Sequence, residues 1–113
     1  MSSNDMYENT LNELRRGVIV LAVLSQLNEE QYGYSLKKLL SEQGLEIDQG
    51  TLYPLLRRLE SQGLLSSDWN TEGSRPRRYY VISPTGQNVL PRLKGEWNKI
   101  VSMMEGMLKT GVS

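Results

Sequence analysis

The sequence contains neither cysteine nor histidine among its 113 residues. Without cysteine there are no disulfide bonds, no thiolate metal sites and no thiol nucleophiles. Without histidine, the commonest general base and the commonest metal ligand are both missing. This composition still permits catalysis by carboxylates or lysine. However, the sequence shows no nucleophile–base pair, metal-ligand cluster or phosphate-binding loop. We therefore expect no enzymatic activity, no metal and no cofactor.

A long hydrophobic run is also missing. The longest, Val18–Leu24, is far shorter than the roughly 20 residues that a membrane span needs. The opening residues, Met-Ser-Ser-Asn-Asp, lack the basic segment of a signal peptide. The length suits one domain with a single core. We expect a soluble, cytoplasmic protein without a membrane partner.

An excess of positive charge is absent too, because 13 Arg and Lys balance 13 Asp and Glu. The distribution is uneven: residues 1–50 hold four basic and eight acidic side chains, whereas residues 51–80 hold five Arg and three acids. Such a local basic surface is what a nucleic-acid partner requires. A neutral chain is also compatible with a module that docks on another protein.

The first helix is predicted from periodicity and a cap. Residues 1–9 are polar, and we expect them to form a flexible segment. Thr10 is a capping residue, and Glu13 completes a capping box. The apolar run from Val18 is compatible with a buried strand, but helical spacing already begins at Leu11, so we favour a helix. Because this helix is apolar on every side, it suggests cover by a second subunit.

Glycines delimit the next two helices. A second helix is predicted over about residues 33–43, ended by Gly44, and a third over about residues 49–62, ended by Gly63. Residues 28–31 are interpreted as a polar break.

A β-hairpin and a last helix complete the chain. Residues 64–69 and 77–82 are strand-like and flank a polar turn. A serine followed by Pro84 predicts the start of the last helix, and we expect Pro91 to bend it. The order helix, helix, helix, hairpin, helix is that of a winged helix-turn-helix, a mainly α fold with a small β-hairpin.

The third helix has an apolar and a polar face on a helical wheel. Its four leucines lie opposite Arg57 and Arg58, which can pair with guanine or grip phosphate. Thr51 and Tyr53 flank the polar face as donors to phosphate, and Gly50 permits close approach of a DNA backbone. A solvated face of an ordinary amphipathic helix has the same composition.

The hairpin tip is a second basic element. Residues 74–78, with the sequence SRPRR, place three arginines within four positions, which suits a minor groove or flanking phosphates. A solvated basic loop has this composition as well, but a basic helix followed by a basic hairpin is more specific than either alone. We predict DNA contacts from Tyr34, Ser35, Lys37, Lys38, Gln49, Gly50, Thr51, Tyr53, Arg57, Arg58, Ser74, Arg75, Arg77 and Arg78.

Three ordered motifs resemble those of the PadR family of transcriptional regulators. They are YGYSL at 32–36, GTLYPLLRRLE at 50–60 followed by GLL at 63–65, and RRYYVISPTG at 77–86. The resemblance covers about residues 11–110. It implies a homodimer that binds an inverted-repeat operator and usually represses transcription. It also implies that Tyr53 contacts phosphate and that the hairpin arginines contact the DNA backbone.

The last helix carries a heptad stripe that indicates a dimer seam. We assign the winged helix-turn-helix to residues 10–82 and a dimerisation helix to residues 83–113, which resembles the compact PadR subgroup with one C-terminal helix. The predicted interface consists of Leu11, Leu14, Val18, Leu93, Trp97, Ile100, Met104 and Met107.

A ligand site is suggested by the resemblance alone. In some compact PadR members, tryptophans at this point of the last helix meet across the dimer axis and bind flat aromatic compounds. The corresponding residue here is Trp97, with Val18, Val101 and Met104 as lining candidates. A tryptophan in an apolar stripe is otherwise a packing residue. We expect the second tryptophan, Trp69, to be a packing residue.

Two function classes are carried forward. The favoured one is a DNA-binding regulator that acts as a homodimer. The alternative is a winged-helix module for protein contact without DNA binding. The arginines of the third helix and the hairpin speak against the alternative, because the centres of docking surfaces are depleted in charge.

Overall fold

A computed structural model describes residues 3–111, which form four helices and three short strands. In chain order these are α1 Ser3–Ser25, β1 Gln31–Tyr32, α2 Gly33–Glu42, α3 Gln49–Ser61, β2 Leu65–Asn70, β3 Arg77–Ile82 and α4 Pro84–Gly111. The mainly helical class with a β-hairpin is confirmed. Within the described residues, no helix is both long and apolar enough to cross a membrane.

The first helix begins at Ser3, well before the predicted capping residue Thr10. The Thr10 hydroxyl donates instead to the Met6 carbonyl at 2.9 Å, a bond that threonine forms inside helices. The predicted helix start was wrong because a Thr–Glu pattern also occurs inside a helix whose upstream residues are compatible with it. Residues 1–2 of the predicted flexible segment and residues 112–113 of the predicted dimerisation segment lie outside the described residues.

Glycines end α2 and α3 as the sequence predicts. Gly44 and Gly63 adopt positive φ angles of 99° and 85°, which side chains with a Cβ rarely tolerate. The Leu45 N–H donates to the Leu40 carbonyl at 2.9 Å, and the Leu64 N–H donates to the Leu59 carbonyl at 2.9 Å. These Schellman-type bonds satisfy carbonyls at the helix ends and turn the chain sharply.

A third strand joins the hairpin. Gln31 and Tyr32 of β1 pair antiparallel with Tyr80 and Tyr79 of β3, which gives the sheet order β1-β3-β2. The interpretation of residues 28–31 as a polar break was therefore wrong at its last residue. A strand of two residues is too short to show an alternation of apolar and polar side chains. Its pairing partner, β3, lies far along the chain, so β1 depends on a tertiary contact.

Ser83 joins the hairpin to the last helix. Its buried hydroxyl donates to the Gly63 carbonyl at 2.6 Å and accepts from the Gly86 N–H at 3.0 Å. The first bond ties the start of α4 to the end of α3, and the second caps α4, as the Ser–Pro signal predicts. The bend at Pro91 stays a prediction, and α4 continues through this residue.

The core is built from one face of each of the first three helices and of the hairpin. Leu24, Leu36, Leu52 and Leu56 are each 1% exposed or less. The remaining buried apolar residues are Ile19, Val23, Leu27, Leu40, Ile47, Leu55, Leu59, Leu65, Tyr80 and Ile82. Leu90 and Leu93 of α4 pack against this core, whereas the C-terminal half of α4 extends past it.

We expect Gly86→Ala to destabilise the fold, because an added Cβ would lie 2.3 Å from the Leu64 carbonyl oxygen and 2.6 Å from Ile82 Cγ1. Overpacking of this kind costs about 1–3 kcal/mol. Gly95→Ala in the same helix is the matched control, since nothing lies within 4 Å of its Cβ position. The control should stabilise by up to about 1 kcal/mol through helix propensity. Urea denaturation of both variants distinguishes these outcomes, and an unchanged midpoint for Gly86→Ala would contradict the packing.

Candidate nucleic-acid interface

The two faces of α3 are separated as the sequence predicts. Its four leucines are buried, and Arg57 and Arg58 on the opposite side are exposed. Within residues 3–111, neither guanidinium forms an ion pair or a hydrogen bond. Both are therefore available to an external anion.

Polar side chains at the start of α3 form a hydrogen bond with each other. The Thr51 hydroxyl donates to the Asp48 carboxylate at 2.8 Å, and this bond is the main cause that lowers the pKa of Asp48 below 3.8. In this arrangement the Thr51 proton is engaged by Asp48, and the donation of Thr51 to phosphate stays a prediction. A Cβ added at Gly50 would lie 3.0 Å from Asp48 Oδ2. Gln49, the first residue of α3, is exposed.

Tyr53 connects α3 to the start of α2. Its half-buried ring lies so close to Gly33 that a Cβ there would be 2.3 Å from Cε1. Gly33 is thus the residue that permits this approach, a role that the sequence analysis missed. The close Tyr–Gly contact has no local signature in the sequence, because the two residues lie on different helices.

An aromatic cluster links α2 to the hairpin. Tyr32 stacks on the exposed Tyr34 with ring centroids 6.5 Å apart and meets Tyr79 edge-on at 5.4 Å. The guanidinium of Arg77 lies 4.5 Å from the Tyr32 ring centroid. Ser35 is held in the same turn, where its hydroxyl donates to the Tyr32 carbonyl and accepts from the Tyr32 N–H, both at 3.0 Å. Ser35 thus helps to start α2, and its predicted DNA contact stays a prediction.

Arg78 is bound within the fold, and its predicted DNA contact stays a prediction. Its Nη2 donates to Glu60 Oε1 at 2.8 Å, and its Nε donates to Ser67 Oγ at 2.9 Å. Ser67 in turn donates to Glu60 Oε2 at 2.5 Å. This triad joins β2, β3 and α3, and it neutralises one of the three hairpin arginines.

Tyr80 lies beside this triad. Burial raises the pKa of its phenol, against the opposing influence of Arg78 and Arg57. The phenol therefore stays neutral at ordinary pH, and the apolar body of Tyr80 belongs to the core.

The remaining predicted residues are spread over the surface. Ser74 and Arg75 are exposed at the hairpin tip, Lys38 is exposed, and Lys37 is half-buried on α2. No hydrogen bond, ion pair or ring contact described for residues 3–111 ties these four side chains to α3. Tyr53, Arg57 and Arg78 line one cleft, and these four residues are not part of its lining.

A cleft separates α3 from the hairpin. Its volume is about 320 Å³, and its lining includes Tyr53 and Arg57 of α3 and Trp69, Arg78 and Tyr80 of the hairpin. Trp69 is 63% exposed, so its predicted packing role was wrong. The residue sits near the end of β2, where the hairpin extends beyond the core and offers little cover.

An apolar groove lies between α1 and α4. Its volume is about 560 Å³, and Trp97, Val18, Val101 and Met104 all line it. Along the apolar stripe of α4, the side chains of Trp97, Ile100, Met104 and Met107 are 38–54% exposed. On α1, Leu14 is 73% exposed. Leu11 and Leu93 are half-buried. The four predicted ligand residues and most of the predicted seam thus line one groove, which we call the α1–α4 groove; Leu11 and Met107 of the predicted seam are not among its lining residues.

Comparison with known proteins relates this architecture to one family. The sequence pattern of the transcriptional regulator PadR-like family matches residues 20–92. Transcriptional regulator Rv3488 of Mycobacterium tuberculosis is 37% identical over 81 residues, which cover 71% of this chain and 76% of that protein.

Solved structures show the same likeness. A PadR family transcriptional regulator from Eggerthella lenta is 46% identical, with a TM-score of 0.88, over 95% of this chain and 96% of that chain. A PadR family transcription regulator from Clostridium difficile is 32% identical, with a TM-score of 0.71, over 80% of this chain and 97% of that chain. The likeness therefore spans the helices, the hairpin and α4.

We expect Arg78→Ala to lower the free energy of unfolding by about 1 kcal/mol, because it removes two charge-assisted bonds at a partly exposed site. Arg75→Ala, at the exposed tip, should change it by less than about 0.5 kcal/mol. Urea denaturation measures both. Equal effects of the two substitutions would show that Arg78 has no structural role.

Proposed function

Because the chain belongs to the PadR-like family of transcriptional regulators, we propose that it acts as a homodimeric repressor on an inverted-repeat operator. Members of the family are transcriptional regulators and not enzymes. In this proposal α3 is the recognition helix, residues 71–76 form the tip of the wing, and residues 83–113 form the dimerisation segment. The protein would act in the cytoplasm, where its DNA target lies.

The observation that carries the DNA-binding proposal is the pair of unpaired, exposed guanidiniums on α3 beside a basic hairpin. Arg57 and Arg58 have no acidic partner within residues 3–111, although the chain as a whole is neutral. Arginine pairs bidentately with guanine or phosphate, so two free guanidiniums on one helix face suit a major groove. The exposed Arg75 and Arg77 on the hairpin extend the positive surface.

The proposed contact residues are those predicted residues whose side-chain polar groups form no hydrogen bond within residues 3–111, together with Gly50, which has no side chain and would let the DNA backbone approach. They are Tyr34, Lys37, Lys38, Gln49, Gly50, Tyr53, Arg57, Arg58, Ser74, Arg75 and Arg77. Ser35, Thr51 and Arg78 form hydrogen bonds within the fold, so a DNA contact by any of them would have to share or replace those bonds.

The proposed dimer rests on the α1–α4 groove. Large apolar side chains along α4 are left to solvent, which is unfavourable unless another surface covers them. Their spacing of three and four residues is that of a helix seam. A second copy offers the same stripe, so a two-fold interface is self-complementary.

A small-molecule effector is proposed for the same groove. Trp97 lines an apolar cavity of about 560 Å³, a size that suits a flat aromatic molecule. Such a ligand would release DNA only if it bound the DNA-free arrangement of the dimer more tightly. Quenching of Trp97 emission by planar dyes tests this site, with Trp69→Phe as the background. Dyes that leave the emission unchanged would remove the proposal for those compounds.

The DNA-binding proposal is tested by selection. The purified protein is used to enrich duplexes from a random-sequence pool, and the enriched and scrambled duplexes are compared by fluorescence anisotropy over a salt series. We expect selective binding with a steep salt dependence. Half-sites should lie about 10 bp apart if two recognition helices fill successive major grooves. Failure to enrich any duplex would favour the protein-docking alternative.

We expect Arg75→Ala to weaken binding to every duplex alike and to lower the slope of log K against log salt by about one, because one phosphate contact is lost. Anisotropy titrations at several salt concentrations measure both quantities. A loss confined to particular sequences would instead place Arg75 on a base edge.

We expect Ile100→Glu to convert the dimer to a monomer, because it places a charge in the apolar seam. Ile100 is 45% exposed in the single chain, so the monomer should stay folded. Sedimentation equilibrium gives the oligomeric state and circular dichroism the fold. Asn98→Glu adds the same charge to α4 outside the stripe and should leave the dimer intact. A dimeric Ile100→Glu variant would place the interface elsewhere.

A further inference from the structure

Trp69 is a large exposed aromatic side chain on the DNA-facing side that the proposed function leaves unexplained. Trp69 is 63% exposed, whereas Ser67 is half-buried and Leu65 is buried on the same strand. Trp69 shares one face of the hairpin with Ser67 and Leu65, because alternate residues of a strand point to the same side. Ser67 bonds to Glu60 of α3, so this face of the hairpin is turned toward the recognition helix.

The position of the cleft follows from how the two elements would meet DNA. If α3 lies in a major groove and the hairpin tip reaches the neighbouring minor groove, one sugar–phosphate strand separates the two grooves. That strand must pass between α3 and the hairpin. The cleft lined by Tyr53, Arg57 and Trp69 is the space between them.

The chemistry of the cleft matches a phosphodiester strand. Arg57 supplies a positive charge without an acidic partner in residues 3–111, whereas the charge of Arg78 is balanced by Glu60. The indole of Trp69 offers an apolar face to a deoxyribose and an N–H donor to a phosphate oxygen. The guanidinium of Arg78 lies 5.9 Å from the Trp69 ring centroid and 5.6 Å from that of Tyr80, so Arg78 contacts both aromatic rings that line the cleft.

We propose that this cleft holds the sugar–phosphate backbone of one DNA strand, with Arg57 on a phosphate and Trp69 packed against the adjacent deoxyribose. The inference rests on the proposed DNA binding and adds to it in two ways. It makes Trp69 a DNA-contacting residue, and it assigns Arg57 to phosphate and not to a base edge.

The test uses the duplexes enriched by the full-length protein. Trp69→Ala should weaken binding about tenfold, which corresponds to about 1.4 kcal/mol. The loss should be equal on selected and scrambled duplexes, because a backbone contact carries no sequence information. The salt slope should not change, since the indole is uncharged. Arg57→Ala should also weaken binding to all duplexes alike, but it should in addition lower the slope of log K against log salt by about one.

The control is Ser66→Ala, which alters an exposed side chain of the same strand on the opposite face of the hairpin. It should bind DNA like the native chain. Tryptophan emission gives a second readout: it should change on addition of DNA with the same midpoint as the anisotropy, and this change should vanish in Trp69→Phe. The emission readout keeps the test valid even if Trp69→Ala folds poorly.

The outcomes separate the two proposals. If the native chain binds selected duplexes and Trp69→Ala binds as tightly as Ser66→Ala, the cleft proposal is overturned and the DNA-binding proposal stands. A loss restricted to certain sequences would make Trp69 a base-reading residue and overturn the backbone assignment. If the native chain enriches no duplex, DNA binding fails and the cleft proposal fails with it.

Discussion

Burial of the leucine face of α3 is the constraint on which the rest of the domain depends. Leu52, Leu55, Leu56 and Leu59 are each 6% exposed or less. Burying one such side chain is worth about 1.5–3 kcal/mol, so the rotation of α3 about its axis is strongly determined. A rotation by one residue position would turn Arg57 toward the core at a large desolvation cost. The same packing that stabilises the domain therefore presents the guanidiniums outward.

The hairpin is positioned relative to α3 by a smaller set of polar contacts. Arg78 and Ser67 reach Glu60, and Ser83 reaches the carbonyl of Gly63. One of the three arginines near the tip thus serves the fold, while Arg75 stays exposed. A chain of zero net charge can present a local basic surface because eight of its 13 acidic side chains lie in residues 1–50, away from the arginines of residues 51–80 in the sequence. Charge that is compensated inside the fold adds nothing to the field outside.

The last helix joins two functions in one element. Its N-terminal part packs on the core through Leu90 and Leu93, and its C-terminal part leaves an apolar stripe exposed. With 28 residues it is about 42 Å long. In the proposed dimer, the crossing of two such helices sets the separation of the two α3 helices. A ligand in the α1–α4 groove would act on DNA binding through that separation, by favouring one arrangement of the dimer.

Local signals in the sequence determined much of the architecture. The glycine caps after α2 and α3, the hairpin and the Ser–Pro start of α4 act over a few residues, so they were predictable from spacing. The outward position of Arg57 and Arg58 followed from helical periodicity. The motifs also identified the family. None of these features requires knowledge of which distant residues meet.

The remaining features were decided by tertiary structure, because they depend on contacts between residues that are distant in the sequence. The early start of α1, the short strand β1 and the exposure of Trp69 have no local signature. A sequence pattern gives the chemical type of Ser35, Thr51 and Arg78, but not the partners that take up their hydrogen bonds. Those partners are supplied by folding, and they determine which polar groups remain free for DNA.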